Sequence, residues 1–316
     1  MIIDMPGTTT NAVNKRLVKL RDEGGAVALG RVLTLVVMAE ERDVEEAIAT
    51  TNDASREHPC RVIVVAPSGE AEGEARLDAQ IRVGGDAGAS EVVVLRIAGP
   101  LVERHDTLVM PLLLPDAPIV AWWPRTAPAD PAADPIGRMA HRRITDTTAV
   151  ADPVAMLRSL PAVSKPGDTD LAWARVTLWR ALIAAAIEQP PFEAVTSVRV
   201  EGEERHTSLH LLTAWLGERL GCPATIVPVE GAEAITKVVL VRPGGEIVLD
   251  RPDGRVVTIT QPGKPERRIA LPIRKLNEAL IEELRRLDPD ETYEEVLSQG
   301  LPLVRIGGVE SVGDRA

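Results

Sequence analysis

Trp122 and Trp123 stand side by side in a chain that holds five tryptophans, one tyrosine and one phenylalanine. Adjacent residues of a strand point to opposite faces of its sheet, so one ring fills a core and the other meets a covering helix or the surface. An exposed Trp at the C-terminal end of a parallel strand is placed where ligands and partners dock. The alternative is that helices cover both faces and both rings are core. Arg142 and Arg143 follow the segment 124–137, which is rich in Pro, Ala and Asp. A segment that long inside a compact domain is a lid, a partner-binding stretch or a linker. The arginine pair reads either as a grip on a phosphate or a partner's carboxylate, or as a solvated pair with scattered salt bridges. With Asp116, these residues form the candidate partner-binding set: Trp122, Trp123, Asp116, Arg142 and Arg143.

Other pairings carry less chemistry. His206 and His210 sit four apart near a helix start, on one face, but the glutamate of H-E-x-x-H is missing and no third ligand is near. A structural role is adopted for them and no metal is expected. His58 and Cys60 are close in sequence, yet nucleophilic pairs are set in space, and Cys60 reads as a small hydrophobe opening a buried strand. Cys60 and Cys222 are the two cysteines of the chain, which is not a disulfide framework; any redox response has to pass through them. Gly84-Gly85-Asp86-Ala87-Gly88 reads as a hairpin turn rather than an anion nest. The sequence holds no G-x-x-x-x-G-K-[ST], no G-x-S-x-G and no G-x-G-x-x-G after a buried strand. Neither a catalytic set nor a cofactor is expected.

The elements that must position these residues follow from hydrophobic period. Val13, Leu17 and Leu20 predict a helix over 8–22. Val27 to Ala39 and Arg61 to Val65 are near-continuous apolar runs, each a strand buried on both faces. Asp43 opens the helix between them, which ends near Glu57 because Pro59 follows His58. The sum is a βαβ unit with parallel strands. Its crossover, Met38-Ala39-Glu40-Glu41-Arg42, is acidic and free of glycine, the wrong chemistry for cradling a pyrophosphate. Leu77–Val83 and Glu91–Ile97 predict a hairpin, which makes the sheet mixed. The segment 106–114 leans to helix, and Pro118–Trp123 and His141–Asp146 are further strands.

Beyond a boundary at 160–168, Asp168 is read as the cap of a helix over 170–188. Val195–Val200 is a strand, and Thr207 caps a helix that Gly221 stops. Four short segments from Lys237 to Leu271, separated by Pro- and Gly-containing turns, form an antiparallel meander. Helices over 273–287 and 290–298 end the pattern. The fold class is α/β. An N-terminal, βαβ-containing mixed-sheet domain (1–160, Rossmann-like without the dinucleotide fingerprint) precedes a C-terminal α+β domain with the meander (161–316).

Composition bounds the function. Of 316 residues, 45% are hydrophobic, and 36 basic against 47 acidic side chains give a net charge of −11. Nucleic acid and anionic membranes demand a basic footprint and are not expected partners. No apolar run approaches the roughly 20 residues of a membrane span. The first residues lack a basic and an apolar signal region, so the expected location is the cytoplasm.

Several blocks are distinctive: Thr51-Asn52-Asp53-Ala54-Ser55-Arg56-Glu57-His58-Pro59-Cys60-Arg61-Val62-Ile63; Arg82-Val83-Gly84-Gly85 through Glu91-Val92-Val93-Val94-Leu95-Arg96; Pro111 through Pro124; and Asp134-Pro135-Ile136-Gly137 to Arg142-Arg143-Ile144-Thr145-Asp146. Together they resemble the OpcA family of glucose-6-phosphate dehydrogenase assembly proteins, most closely its actinobacterial form, over nearly the whole chain. The resemblance implies a non-catalytic assembly factor and allosteric activator. Such a protein binds the glucose-6-phosphate dehydrogenase oligomer and promotes its active form at the entry of the oxidative pentose phosphate pathway of carbohydrate metabolism. It carries no catalytic residue over. In photosynthetic relatives cysteines are linked to thioredoxin control, whereas this chain has no cysteine after Cys222 and no close cysteine pair. The alternative from another class is a sugar-phosphate or nucleotide-binding sensor or enzyme that uses the C-terminal edge of the N-terminal sheet.

Overall fold

The computed structural model describes residues 1–23, 32–68, 72–84 and 91–307. A short strand, β1 (Ile2–Met5), precedes helix α1 (Thr10–Glu23), which buries Val13 and Leu17 one turn apart. Strand β2 (Leu33–Met38), helix α2 (Val44–Ala54) and strand β3 (Cys60–Pro67) make the expected βαβ unit, with β2 and β3 parallel. The part of the first predicted strand before Val32 lies outside the described residues. Helix α2 buries Val44, Ala47, Ile48, Thr51 and Ala54, the stripe of a helix lying on a sheet.

Strands β4 (Arg76–Arg82) and β5 (Glu91–Ala98) pair antiparallel, so the sheet is mixed. Gly84 begins their turn at φ 71°; residues 85–88, on which the hairpin and nest readings also fall, lie outside the described residues. The ambiguous segment is helical. A 3-10 turn over Gly99–Arg104 leads into α3 (His105–Val109), and a second over Met110–Leu112 contains Pro111, which cannot continue the α-helical ladder. Strands β6 (Ile119–Trp122) and β7 (Arg142–Thr145) follow, separated by turns.

Helix α4 (Pro153–Val163) is not anticipated from the sequence. Asp152 caps it, its side chain accepting from the Ala155 N–H, and Pro153 occupies the first turn, where its missing N–H costs nothing. The cap expected at Asp168 is corrected. Asp168 lies in β8 (Asp168–Asp170), and Asp170 is the cap, its carboxylate accepting from the Ala172 N–H at 2.8 Å. The helix expected over 170–188 is two helices, α5 (Leu171–Arg175) and α6 (Thr177–Ile187), with Val176 at φ −98°, ψ 4° between them.

Strand β9 (Ser197–Gly202) is followed by α7 (Thr207–Leu220), which Gly221 ends in the left-handed conformation. After β10 (Ala224–Pro228) comes the meander: β11 (Ile235–Val241), β12 (Ile247–Asp250), β13 (Val256–Thr260) and β14 (Arg267–Ala270), antiparallel throughout. Helix α8 (Leu276–Leu284), helix α9 (Glu291–Glu295) with a π turn over Val296–Gly300, and β15 (Val304–Ile306) complete the described chain.

These elements form two compact units. The first comprises Met1–Asp146, Gly167–Thr169 and Leu276–Pro289. Its eight-stranded sheet runs β1-β4-β5-β3-β2-β6-β7-β8, and neighbours from β5 through β7 are parallel. Helix α8 lies against α2, with Asn277 Nδ2 donating to Asp53 Oδ2 at 2.9 Å. The second unit comprises Thr147–Pro166, Asp170–Lys275 and the chain from Asp290 onward. Its seven-stranded sheet runs β14-β13-β12-β11-β9-β10-β15, with β9, β10 and β15 parallel. Trp173, Trp179 and Tyr293 are all buried in its core cluster. The fold is α/β with two mixed sheets. Among the described residues no helix is long and apolar enough to cross a membrane.

Candidate functional site

In the first unit the strand order β5-β3-β2-β6-β7 reverses at β2: the chain winds from β2 outward to β3 on one side and returns to add β6 on the other. At such a switch point the turns that leave the strand ends part in opposite directions and open a crevice beyond their carboxyl ends. Here the crevice is a cavity of about 320 Å³, walled by Met38 at the end of β2 and Ala39 after it, Pro67 at the end of β3, and Trp123, Pro124 and Ala127 after β6. Glu40, Asp43, Arg125 and Asp134 are its charged lining residues.

The turn after β2 determines what this cavity accepts. Glu40 is extended at φ −68°, ψ 154°, Glu41–Asp43 make a 3-10 turn, and α2 begins with Glu45 and Glu46 in its first turn. These carboxylates occupy the positive end of α2, so a pyrophosphate meets repulsion where a dinucleotide site offers N–H donors. They also hold the loop after β6. Arg125 Nε donates to Asp43 Oδ1 and its Nη2 to Glu46 Oε2, each at 2.9 Å, and Thr126 Oγ1 donates to Glu40 Oε1 at 3.0 Å. The result is an apolar crevice under a rim of paired charges, of which Glu40, Glu46 and Arg125 are exposed and Asp43 is buried.

The segment beyond the rim is shaped by two aspartates. Asp130 Oδ1 accepts from the Ala132 and Ala133 N–H groups, and Asp134 Oδ1 from those of Ile136 and Gly137 at 2.8 and 3.2 Å. His105 Nε2 lies 3.9 Å from Asp134 Oδ1, and its Nδ1 lies 2.8 Å from the Val102 carbonyl. Burial works against the imidazolium, but the Asp134 carboxylate and the Val102 carbonyl outweigh it and hold His105 above its ordinary value. Burial likewise works against the Asp134 carboxylate, and His105 with the two N–H groups outweighs that and holds Asp134 below its own.

Of the sequence-derived set, only Trp123 lines the cavity. It is 2% exposed and packs with Val36, Ala121, Ile136 and Ala140, whereas Trp122 is fully buried and, by alternation along β6, faces the other side of the sheet. Both rings are therefore core, and Trp123 reaches the cavity as its wall. Asp116 is exposed in the turn before β6, with φ 54°, at the opposite end of that strand from Trp123. The reading of Arg142 and Arg143 as a solvated pair is corrected: they are 2% and 7% exposed. Arg142 donates to Glu283 and to the Asp288 carbonyl, and Arg143 to Asp168 and to the Ala140 carbonyl. Both guanidiniums are enclosed, including the Arg142 Nε, which has no hydrogen-bond partner, so neither presents a donor to an external phosphate at the surface.

Cys60 is buried in β3, and Cys222 is partly exposed in the second unit. Burial pushes the Cys222 thiol up, which disfavours the thiolate that disulfide exchange requires. His210 is buried and its Nε2 lies 2.7 Å from the Glu204 carbonyl; His206 stands at the N-cap of α7. Among the described residues no group of three or more His, Cys, Asp or Glu is arranged to hold a metal ion. Sequence reasoning missed Arg125, whose place on the cavity rim depends on carboxylates 82 and 79 residues away. It also missed Phe192, which is 78% exposed beside the cis Pro190-Pro191 bond.

Two family models match the chain in order. One, described as the glucose-6-phosphate dehydrogenase subunit N-terminal domain, covers residues 51–162; the other, described as the C-terminal domain of the same subunit, covers residues 166–297. A curated relative from Synechococcus elongatus, described as an OxPP cycle protein OpcA, is 27% identical over 206 residues, which are 61% of this chain and 46% of the relative. One of the same description from Nostoc punctiforme is 28% identical over 200 residues, 56% of this chain and 43% of the relative. The chain spans less than half the length of the curated relatives it matches. Among solved structures, an oxidoreductase from Sinorhizobium meliloti aligns over 85% of this chain and 94% of its own, with a TM-score of 0.48 and 12% identity. A glucose-6-phosphate 1-dehydrogenase from Mycobacterium avium aligns over 89% and 95%, with a TM-score of 0.39 and 12% identity. Matched successively by the models of both its domains, the chain belongs to the OpcA family of glucose-6-phosphate dehydrogenase assembly proteins.

Proposed function

We propose that this chain is a non-catalytic partner of glucose-6-phosphate dehydrogenase. It binds the enzyme in the cytoplasm, promotes its active oligomer and so activates the entry of the oxidative pentose phosphate pathway. The ordered match to both domain models carries the reading. Two observations support it. The switch-point crevice has carboxylates where a dinucleotide enzyme has glycines and N–H donors. A net charge of −11 favours a protein partner over nucleic acid or an anionic membrane. A protein that does no chemistry activates another only by binding its active form more tightly, and the ratio of the two affinities bounds the effect.

The docking surface in this reading is the rim of the crevice. Arg125 and Thr126 are exposed there, above the Trp123 wall. Trp122, Arg142 and Arg143 act from beneath by fixing β6, β7 and the loop between them. Asp116, at the other end of β6, belongs to a second contact if it touches the partner. Size-exclusion chromatography with light scattering on a mixture of the two proteins tests the association. A co-eluting complex is expected, weakened at least about tenfold by Arg125→Glu through reversal of a rim charge. Separate elution of the two proteins at tens of micromolar overturns the reading.

A second reading rests on the cavity itself, whose volume of about 320 Å³ lies within the range of small-molecule sites. In that reading the chain senses a sugar phosphate or nucleotide at the C-terminal edge of the first sheet. The carboxylates on its lining oppose a phosphorylated ligand there. Calorimetry decides: micromolar affinity for glucose 6-phosphate or a nicotinamide nucleotide, lost in Trp123→Ala, would replace the docking reading of this crevice.

A further inference from the structure

Phe192, the one phenylalanine of the chain, is 78% exposed, more than any other large hydrophobic side chain among the described residues. It stands between α6 and β9 in the second unit, on a loop pinned at both sides. Before it, the Pro191 carbonyl accepts from Arg242 Nη1 at 3.2 Å and from the Glu193 N–H at 3.0 Å, which closes a three-residue turn with Phe192 at its apex. After it, the Glu193 carboxylate accepts from the Gly244 N–H at 3.0 Å. Arg242 and Gly244 belong to the turn between β11 and β12, and Pro262, from the turn between β13 and β14, packs against Gly245 of the same turn. A single exposed hydrophobe is ordinary on a protein surface. This one is set apart by its pinned loop, because an aromatic ring already held in place loses little freedom when a partner covers it.

The charges behind the ring are of one sign. Lys264 Nζ donates to Gln189 Oε1 at 2.9 Å, and Arg267 Nη2 to Gln261 Oε1 at 3.3 Å. Gln261 Nε2 in turn donates to the Ala186 carbonyl at 2.8 Å, in the last turn of α6. The acceptors of Arg242, Lys264 and Arg267 are thus all uncharged, and among the described residues none of the three forms an ion pair. Glu188 and Glu266 are exposed and near in sequence but pair with none of them. The carboxyl end of α6 sets about half a negative charge against three positive ones. Loss of hydration, and then the Arg242 and Arg267 guanidiniums, hold the Lys264 ammonium below the ordinary lysine range, so the three charges act on one another. In a chain of net charge −11 the ring stands on a locally basic patch.

We propose that Phe192 and the cations behind it form a contact surface for glucose-6-phosphate dehydrogenase, fitting an apolar pocket of the enzyme that carboxylates border. This rests on the reading of the chain as that enzyme's partner, and it adds a surface of the second unit to the crevice rim of the first. The ring supplies the buried apolar area, and the charges select an acidic surround and steer the encounter. A small anion fits the patch less well, because it leaves the ring in water. A second copy of the chain also fits less well, because a two-fold pairing through this patch sets its cations face to face.

The test measures the affinity of the full chain for purified glucose-6-phosphate dehydrogenase by surface plasmon resonance, at low and at high potassium chloride. Neither Phe192 nor Lys264 is part of the core, so Phe192→Ser and Lys264→Glu are expected to fold, which circular dichroism checks. Phe192→Ser is expected to weaken binding at least about tenfold at both salt concentrations, the loss of one aromatic anchor. Lys264→Glu is expected to weaken it by about as much at low salt and by less at high salt, where screening removes the charge effect. If the wild type binds and Phe192→Ser binds equally well, or if neither salt nor Lys264→Glu changes the affinity, this surface is overturned and the wider reading stands. If the wild type does not bind the enzyme, both fall. Light scattering on the chain alone covers the remaining occupant: a dimer that Phe192→Ser dissolves assigns the patch to a second copy and overturns the proposal.

Discussion

Arg143 donates to Asp168, to the Ala140 carbonyl at 2.9 Å and across to the Gly137 carbonyl, all in surroundings from which water is excluded. Reversing its charge leaves two buried carboxylates face to face. Arg143→Glu is therefore expected to lower stability by about 3–5 kcal/mol, the scale for breaking a buried pair from one side. Urea unfolding measures it, and an unchanged midpoint would contradict the buried pairing. His105 and Asp134 set a pH dependence. His105 is held above its ordinary value of 6.5, so its contribution to stability is full below that value and is lost as pH rises through the raised one. Asp134 is held below its ordinary value of 3.8, so its contribution is full above that value and is lost as pH falls through the lowered one. The stability difference between the wild type and His105→Gln is expected to be greatest between 3.8 and 6.5 and to shrink on both sides. A difference that stays flat from acid to alkaline pH would contradict the coupling. None of these addresses is legible in sequence. An arginine pair reads as surface by default, and what makes this one interior, Glu283 and Asp168, stands 141 and 25 residues away.

The turns between β6 and β7 are built element by element from Asp130, Asp134 and one glycine. A Cβ on Gly137 would overlap the Pro131 carbonyl oxygen, a backbone atom that cannot swing aside. Gly137→Ala is expected to cost about 1–3 kcal/mol, the range for forced overpacking, and to loosen the Asp134 turn at the cavity. Thermal unfolding with hydrogen exchange at Ile136 and Gly137 measures both; native protection in the variant would contradict this account of the loop. At this scale the sequence is most informative where period is long and clean. The βαβ unit, the β4–β5 pair and the meander follow from runs or alternation that only one packing satisfies. It fails where an element is short and its signals conflict. The prolines at 153 and 161 mask α4, and three aspartate-bounded residues of β8 move the cap of α5 from Asp168 to Asp170. The switch-point crevice itself is half legible. The acidic turn after β2 is plain in sequence, but Arg125 joins it only when β6 lies beside β2.

For the whole molecule, the first unit has a strand order that reverses at β2, and the crevice at that switch point is lined by carboxylates and a pinned loop. That combination suits the proposed role of a binding partner, which acts through its surface rather than through chemistry. Activation by such a protein has to appear as a change in another protein's kinetics. The most direct measurement is a titration of this chain into purified glucose-6-phosphate dehydrogenase from the same organism, following initial rates against glucose 6-phosphate. A saturable fall in half-saturation or rise in maximal rate is expected, with an end point at a fixed ratio of the two proteins. Rates that do not change at any ratio, with both proteins folded, would contradict it.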